Sequence, residues 1–194
     1  MTLPTTHRVI TGHDEEGNAI IVENGPIPTT MDFDAIPGTK FHEIWNTTET
    51  PSVINFDEQD PTLGPVVLSP PKNGTRIRFV DIPPDTEEFL TQGKDKMEGV
   101  FSSIGSSEFS TVKENSPHPL MHRTESIDYG IVIEGELTLI VDDGEAQLKP
   151  GSVVIQRGTN HAWANKSNKM CRIVFILVDA CYEAELDKAL TANN

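Results

Sequence analysis

The chain has 194 residues, which is long enough for one domain with a substantial hydrophobic core. Asp and Glu total 30 against 15 Lys and Arg, giving a formal net charge of -15. Nucleic acids and anionic membrane surfaces require clustered positive charge on a protein, so this balance argues against both as partners.

The N-terminal segment, residues 1–8, lacks the apolar core of a signal peptide, and no apolar run reaches the length of a membrane span. We therefore expect a soluble cytoplasmic protein without a membrane partner. Two short apolar runs, at residues 7–11 and 19–22, flank a cluster of turn-forming residues at 14–18. This arrangement predicts a β-hairpin.

Two further strands are predicted before residue 86. Residues 41–45 form one run, and residues 75–82 form another in which apolar side chains alternate with Arg76 and Arg78. Such alternation is typical of a half-buried strand. We expect residues 1–85 to form a β-rich N-terminal arm that packs on a barrel or is swapped onto that of a neighbouring chain.

The segment between residues 86 and 117 carries weaker signals. Residues 86–90 predict the start of a short helix, with Asp85 or Thr86 as its cap. Residues 93–99, with charges of alternating sign, predict an exposed loop. The Ser-rich residues 102–110 are compatible with either a loop or an edge strand.

The second half of the chain predicts a series of short strands. Residues 142–145, Asp-Asp-Gly-Glu, are a hairpin signal, because Asp-Gly tolerates the positive φ angles of tight turns. Residues 171–178 predict a long apolar strand at the centre of a barrel. We expect the barrel to span residues 86–180, followed by a short C-terminal helix and tail at 181–194.

Two histidines and a carboxylate stand at the two ends of a hairpin-rich block: His122, Asp128 and His161. A closed sheet would bring these ends together and create a ligand or metal site. Strand alternation places Asp128 on the interior face and Tyr129 on the outside.

This block resembles the cupin superfamily. Residues 158–165, Gly-Thr-Asn-His-Ala-Trp-Ala-Asn, match the end of the second cupin motif. Asp128 stands seven residues before Gly135, where cupins usually carry a glutamate. Leu120 occupies the place of one histidine in the usual His-x-His pair, so the first motif departs from the pattern.

The whole chain is similar to a group of single-domain cupins from fungi and bacteria, which includes cupin-domain oxidoreductases of polyketide pathways leading to aromatic aldehydes. The similarity is carried by residues 8–14, 74–78, 122–124, 128–130 and 156–163. It implies an all-β fold: a single cupin barrel of the double-stranded β-helix (jelly-roll) type, with the N-terminal arm and the C-terminal helix added.

The resemblance also implies a divalent metal. Two imidazoles and one carboxylate make a facial set that leaves open positions on an ion such as Fe, Zn, Mn or Ni. His122, Asp128 and His161 are the candidate ligands and catalytic residues, with His118 as a further candidate ligand. No organic cofactor is expected.

Four more residues are candidates for contact with a substrate: Tyr129, Arg157, Trp163 and Asn165. Alternative roles remain open for the site residues. The two histidines would be hydrogen-bonded side chains in a barrel without metal, and Trp163 would be part of the core. Asp128 would pair with Arg123 or Arg157, because a buried charge needs a partner.

Three functions follow as hypotheses. The first is a metal-dependent oxidoreductase or oxygenase acting on an aromatic or polyketide-like small molecule inside the barrel. The second is a metal-free isomerase, cyclase, dehydratase or decarboxylase in which the histidines perform acid–base chemistry. The third is a barrel that binds a metabolite without turning it over. The resemblance also implies a homodimer in which N-terminal strands cross to the neighbouring sheet.

Overall fold

The computed structural model describes residues 3–56, 59–91 and 94–192, and within these ranges the chain is mostly β-structure. Its strands are β1 His7–His13, β2 Ala19–Pro26, β3 Thr30–Asp32, β4 Lys40–Thr47, β5 Thr75–Ile82, β6 Ser126–Glu134, β7 Leu137–Val141, β8 Gly144–Leu148, β9 Val153–Arg157, β10 His161–Ala164 and β11 Cys171–Asp179. Its helices are α1 Glu87–Leu90, α2 Lys94–Ser103 and α3 Ala184–Ala192, with a 3-10 turn at Ser107–Phe109.

Two sheets build the barrel. The larger has six strands in the order β3-β4-β5-β11-β6-β9, and the smaller has three in the order β10-β7-β8. Neighbouring strands in both sheets are antiparallel. Apolar side chains of both sheets, among them Val132, Leu137 and Ile173, form one buried cluster between them. The all-β architecture expected from the sequence is confirmed.

Strand β11 lies at the centre of the larger sheet, between β5 and β6. Residues 171–175 are all buried, which explains the near-continuous apolar sequence of this strand. The prediction of a central strand at 171–178 is therefore confirmed. Helix α3 follows it, close to the range expected for a C-terminal helix.

The N-terminal region contributes to the barrel directly. The hairpin of β1 and β2 forms its own two-stranded sheet, as the turn signal predicted. Strands β4 and β5, in contrast, belong to the six-stranded sheet, where β5 pairs with β11 from Ile82↔Cys171 to Thr75↔Val178. Residue 85 thus follows two strands of the barrel sheet and does not mark the point where that sheet begins.

Strand β5 has the predicted alternation, and its buried side is the charged one. Arg76 and Arg78 are 6% and 2% exposed, whereas Ile77 and Phe79 are only partly buried. Glu43 forms an ion pair with both arginines, which makes this inward orientation tolerable, because a buried guanidinium needs charged or hydrogen-bonding partners.

The segment predicted as an exposed loop at 93–99 is instead largely helical, since α2 starts at Lys94; Gly93 lies outside the described residues. The C-terminal end of this helix is anchored by packing. Val100 and Ile104 join Phe33 and Phe89 in a second buried apolar cluster. The expected cap of α1 is present, because the Thr86 hydroxyl accepts a hydrogen bond from the Phe89 amide.

Candidate functional site

The two motif histidines meet at the edge of the smaller sheet. His161 opens β10, and His122 pairs with it as an isolated antiparallel bridge. The amide of each residue donates to the carbonyl of the other at 2.9 Å. Their imidazole rings lie with centroids 4.3 Å apart. The prediction that the fold brings the two ends of the block together holds for this pair.

A tight turn fixes the approach to His161. Gly158 has φ +59°, and a Cβ there would lie 2.7 Å from the ring of Tyr182, so only glycine fits without displacement. The Tyr182 hydroxyl donates to the Gly158 carbonyl at 2.7 Å. The Gln156 side-chain amide donates to the Thr159 carbonyl at 3.0 Å. The residues before His161 are therefore held from both sides.

Hydrogen bonds to the backbone define the tautomer of both histidines. Nδ1 of His122 lies 2.9 Å from the Leu120 carbonyl, and Nδ1 of His161 lies 2.9 Å from the Thr159 carbonyl. Since a carbonyl only accepts, Nδ1 carries the proton in each ring and Nε2 has the free lone pair. Neither Nε2 atom has a hydrogen-bond partner among the described residues.

Both imidazoles are held in the neutral form. Burial lowers the pKa of His122 below 6.5, and the neighbouring His118 lowers it further, against the opposing hydrogen bond to Leu120. Burial and the adjacent His122 place the pKa of His161 well below 6.5. At neutral pH the pair therefore presents two unprotonated nitrogens as bases or ligands.

These rings line a cavity of about 130 Å³ between the sheets and the end of α2. Most of its wall is apolar, with the aromatic side chains of Phe33, Phe41, Phe101, Trp163 and Phe175. Trp163 packs against Phe175 at a centroid distance of 5.0 Å and against His161 at 5.4 Å. The cavity thus combines an aromatic wall with a few polar groups, as ligand sites in proteins commonly do.

Asp128 points into the same cavity from β6 and is 5% exposed. Burial raises its pKa to about 6, against the opposing effects of a hydrogen bond from Ser126 and the positive charge of Arg78. Its Oδ1 atom is buried and has no hydrogen-bond partner within the described ranges. The cation that acts on this carboxyl group is Arg78, whereas Arg157, one of the two expected partners, is exposed.

Arg78 is a cavity residue that the sequence motifs did not indicate. Its guanidinium lies 4.8 Å from the ring centroid of Phe41 and forms an ion pair with Glu43 at 3.0 Å. Desolvation by burial lowers its pKa to about 10, although Glu43 opposes this shift. The sequence signal for Arg78 is the alternation of apolar and basic residues in β5, interpreted with the arginines on the inner face of the sheet.

The remaining candidates lie elsewhere. Tyr129 and Arg157 are exposed, because strand alternation turns them away from the interior. Asn165 is fully buried, but its amide donates to the carbonyls of Ile82 and Lys169, so it joins chain segments rather than lining the cavity. Nε2 of His118 lies 3.6 Å from Asp85, away from the cavity.

The expected three-ligand metal set is not assembled. Within the described residues no three His, Cys, Asp or Glu side chains are grouped so that they could hold one ion. His122 and His161 supply two neighbouring nitrogens, while Asp128 lines the same cavity without joining them. The side chains present therefore do not fit a facial centre of two histidines and Asp128.

Taken together, the geometry defines a β-barrel protein with an internal, mainly apolar ligand site. Comparison with known families agrees, since the Cupin domain family matches residues 109–177. Phomopsin biosynthesis cluster protein C' of Diaporthe leptostromiformis is 34% identical, over 92% of this chain and 80% of that protein. The chain belongs to the cupin family.

Other relatives carry names that describe an activity or a biosynthetic setting. The cupin-domain-containing oxidoreductase virC of Hypocrea virens is 30% identical, over 91% of this chain and 77% of that protein. Oryzines biosynthesis cluster protein J of Aspergillus oryzae is 31% identical, over 91% of this chain and 84% of that protein. In the described part of the chain, no helix is both long and apolar enough to cross a membrane.

Proposed function

We propose that this cupin is an enzyme that transfers protons on a small, mainly apolar carbonyl compound held in the barrel. The observation that carries this proposal is the pair of neutral imidazoles, His122 and His161, whose Nε2 lone pairs are free in an aromatic cavity. Neutral imidazole in a water-poor site is a suitable general base. Isomerisation of a carbonyl compound through its enolate begins with such a proton abstraction, as do aldol-type cyclisation and the elimination of water next to a carbonyl group.

The side chains divide into complementary roles. His161 accepts the proton at Nε2, with Nδ1 fixed by the Thr159 carbonyl so that the ring keeps its orientation. Asp128, whose pKa is raised to about 6, holds a proton below that pH and can return it to the substrate. The pKa of Asp128 is raised and that of His161 is lowered from its usual value. Opposite pKa shifts in two titratable groups of one site are a common signature of an acid–base pair.

The cavity also restricts the size of the substrate. An apolar cavity of about 150 Å³ is known to accommodate a molecule the size of benzene. At about 130 Å³, the cavity here suits a single ring rather than an extended polycyclic molecule. The aromatic wall, including Trp163 and Phe175, favours an aromatic ring over a flexible aliphatic chain.

Hydrogen–deuterium exchange tests this proposal directly. We expect the protein to accelerate exchange of the hydrogens next to the carbonyl of phenylacetone in deuterated water, followed by proton NMR. His161→Ala should reduce the rate by about 10²–10⁴-fold, the usual range for loss of a general base. The rate should also fall as pH rises through about 6, because Asp128 then loses its proton.

His118→Gln provides the matched control. His118 is as buried as His161, at 2% exposure, but faces Asp85 outside the cavity, so this variant should exchange at the wild-type rate. Equal exchange rates for wild-type protein and His161→Ala would exclude His161 as the base. No acceleration by the wild-type protein, combined with saturable binding of phenylacetone, would instead indicate a binding protein.

A metal-dependent oxidoreductase is the second candidate. It is favoured by the two adjacent Nε2 lone pairs and by the name of the relative virC. Because the described side chains do not form a three-ligand centre, we assign no reaction step to a metal. Elemental analysis of protein purified without chelators distinguishes the candidates: one equivalent of Fe, Zn, Mn or Ni, with activity lost on its removal, would favour the oxidoreductase.

We also propose that the protein is a homodimer. The β1–β2 hairpin leaves Ile21 and Val22 exposed at 62% and 55%, and the outer face of edge strand β9 exposes Val153 and Ile155 at 57% and 52%. Exposed apolar side chains on strand faces such as these two favour an interface with a second copy of the chain. Light scattering should give a mass twice that of the 21.4 kDa chain, and the mass of a single chain would contradict the proposal.

A further inference from the structure

One buried guanidinium, that of Arg78, lines the cavity together with the carboxyl group of Asp128. Arg78 is the one Lys or Arg side chain that lines the cavity among the residues whose side chains are described. It belongs to a buried cluster with Arg76 and Glu43, in which two positive charges meet one negative charge. Asp128 lines the same cavity, and its carboxyl group also acts on Arg78.

The hydrogen-bonding capacity of Arg78 is only partly used. Nη2 donates to the Val67 carbonyl at 2.5 Å and to Glu43 at 3.3 Å. Nε forms an ion pair with Oε1 of Glu43 at 3.0 Å, although the angles are not those of a hydrogen bond. Nη1 has no acceptor in the part of the chain that the structure describes. A buried donor left without an acceptor is unfavourable, so a ligand that supplies an acceptor for Nη1 is favoured.

The surroundings of Arg78 define what such a ligand looks like. Phe41 lies directly under the guanidinium, and Trp163 and Phe175 continue the apolar wall of the same cavity. A guanidinium N–H group makes a charge-assisted hydrogen bond to a carboxylate or enolate oxygen, and Nη1 is the nitrogen left for this contact. An apolar ring carrying an anionic oxygen would satisfy both the wall and the cation.

We propose that the cavity selects substrates that carry an anionic oxygen, either a carboxylate or an enolate, on a single apolar ring, and that Arg78 is the residue that selects them. The inference rests on the proposed function in taking this cavity as the substrate site. Arg78 holds the anionic oxygen at its free N–H groups while the ring packs among the aromatic side chains. Arg78 therefore acts by binding the substrate, and His161 acts on its protons.

Equilibrium binding of two near-isosteric probes tests the proposal. We expect calorimetry to show that wild-type protein binds benzoate at least tenfold more tightly than benzamide, which has the same ring and no charge. Arg78→Gln should remove this preference. Arg78→Lys keeps the charge but not the planar guanidinium, so it should retain only part of the preference.

Arg76→Gln is the matched control, because Arg76 is in the same ion-pair cluster and contacts Glu43 at 2.7 Å without lining the cavity. It should keep the preference for benzoate. Equal affinity of the wild-type protein for the two probes would overturn the proposal. So would an equal loss of preference in Arg76→Gln and Arg78→Gln, since a general disturbance of the cluster would then explain both. If Arg78→Gln does not fold, the comparison of Arg78→Lys with Arg76→Lys decides in the same way.

The test separates this inference from the proposed function. In His161→Ala the preference for benzoate should persist even though phenylacetone exchange is lost. Wild-type protein that catalyses exchange but does not prefer benzoate would refute the role of Arg78 and leave the proton-transfer function standing. Protein that prefers benzoate through Arg78 but catalyses no exchange would support the anion site and refute the proton-transfer function.

Discussion

Strands β4 and β5 carry two buried groups of charged side chains that differ in how completely their hydrogen bonds are satisfied. The outer cluster consists of His42, Asp81 and Arg172. The cavity cluster consists of Glu43, Arg76 and Arg78, with Asp128 nearby on β6. Members of the two clusters are neighbours in sequence, as His42 and Glu43 are, yet they have different surroundings.

In the outer cluster every partner is present. Arg172 donates to both carboxylate oxygens of Asp81 at 2.6 and 2.7 Å, and His42 donates to Asp81 at 3.0 Å. Arg172 also donates to the Pro4 carbonyl at 2.7 Å, and the Thr6 hydroxyl donates to Nδ1 of His42 at 3.1 Å. This cluster fixes the N-terminal segment to the barrel, which is a structural role.

In the cavity cluster three buried atoms make no hydrogen bond within the described residues: Oδ1 of Asp128, and Oε1 of Glu43 and Nε of Arg78, which form an ion pair with each other at 3.0 Å. Burial and charge are therefore similar in the two clusters, while unused hydrogen-bonding capacity is found beside the cavity. Buried polar atoms without partners are rare in proteins and call for an explanation. A bound substrate whose anionic oxygen accepts from the free N–H groups of Arg78 is the explanation we favour for that residue.

The largest effect is expected from Asp81→Ala in the outer cluster. The substitution leaves Arg172 buried without its carboxylate, and breaking one side of a buried ion pair typically costs 3–5 kcal/mol, so we expect the free energy of unfolding to fall by about 3–5 kcal/mol. Urea denaturation measures it. Asp32→Ala is the control, because its ion pair with Lys40 is largely exposed and should contribute no more than about 1 kcal/mol.

The pH dependence of stability gives a second test of the outer cluster. Burial alone would raise the pKa of Asp81, but hydrogen bonds from Arg172 and His42 outweigh it, and the pKa lies below 3.8. A depressed carboxyl pKa stabilises the folded protein above the unfolded pKa near 3.8 and ceases to do so as pH falls through the folded value. A difference between wild type and Asp81→Ala that did not shrink in strong acid would contradict this account.

Asp128→Asn should show the opposite sign, with a smaller effect. The pKa of Asp128 is raised to about 6, so the folded protein gains stability as pH falls from 7 toward the unfolded value of 3.8. Between pH 7 and pH 4.5 the wild type should gain about 2 kcal/mol relative to Asp128→Asn. Urea denaturation of both proteins at the two pH values measures it, and parallel pH profiles would show that Asp128 is not a raised-pKa group.

The contrast also explains which features of the molecule could be predicted from the sequence. The central strand β11, the hairpin turn at residues 142–145 and the meeting of His122 with His161 follow from local patterns, namely apolar runs, turn residues and motif ends. Alternation in β5 was equally visible. The alternation gives the period of a strand but does not show which face is buried. The face with the arginines is buried because Glu43 on the neighbouring strand forms ion pairs with them.

Other features depend on contacts between distant segments. The segment at 93–99 has few apolar residues, so its sequence favoured a loop, yet Val100 and Ile104 pack against Phe33 and stabilise α2. The surroundings of Asp128 could not be read from its motif either, because its charged neighbour Arg78 is 50 positions earlier in the chain. Sequence spacing alone therefore indicated a ligand set that the described side chains do not form.

The smallest effect is expected from Thr6→Val, which removes one hydroxyl from the outer cluster without changing the size of the side chain. His42 keeps its bond to Asp81 and loses only the donor at Nδ1, so the free energy of unfolding should fall by about 1 kcal/mol, the net value of a neutral hydrogen bond. Thr5→Val is the matched control, because Thr5 is exposed and should have no measurable effect.

Benzoate affinity gives the second measurement on Thr6→Val. If the outer cluster serves only to fix the N-terminal segment, the affinity should equal that of the wild type, because neither Thr6 nor His42 lines the cavity. A tenfold weaker affinity would mean that the two clusters are coupled through β4 and β5, and the division between a structural and a functional cluster would fail. Unchanged benzoate affinity together with lower stability would support the division between the outer cluster, which is structural, and the cavity cluster, which is functional.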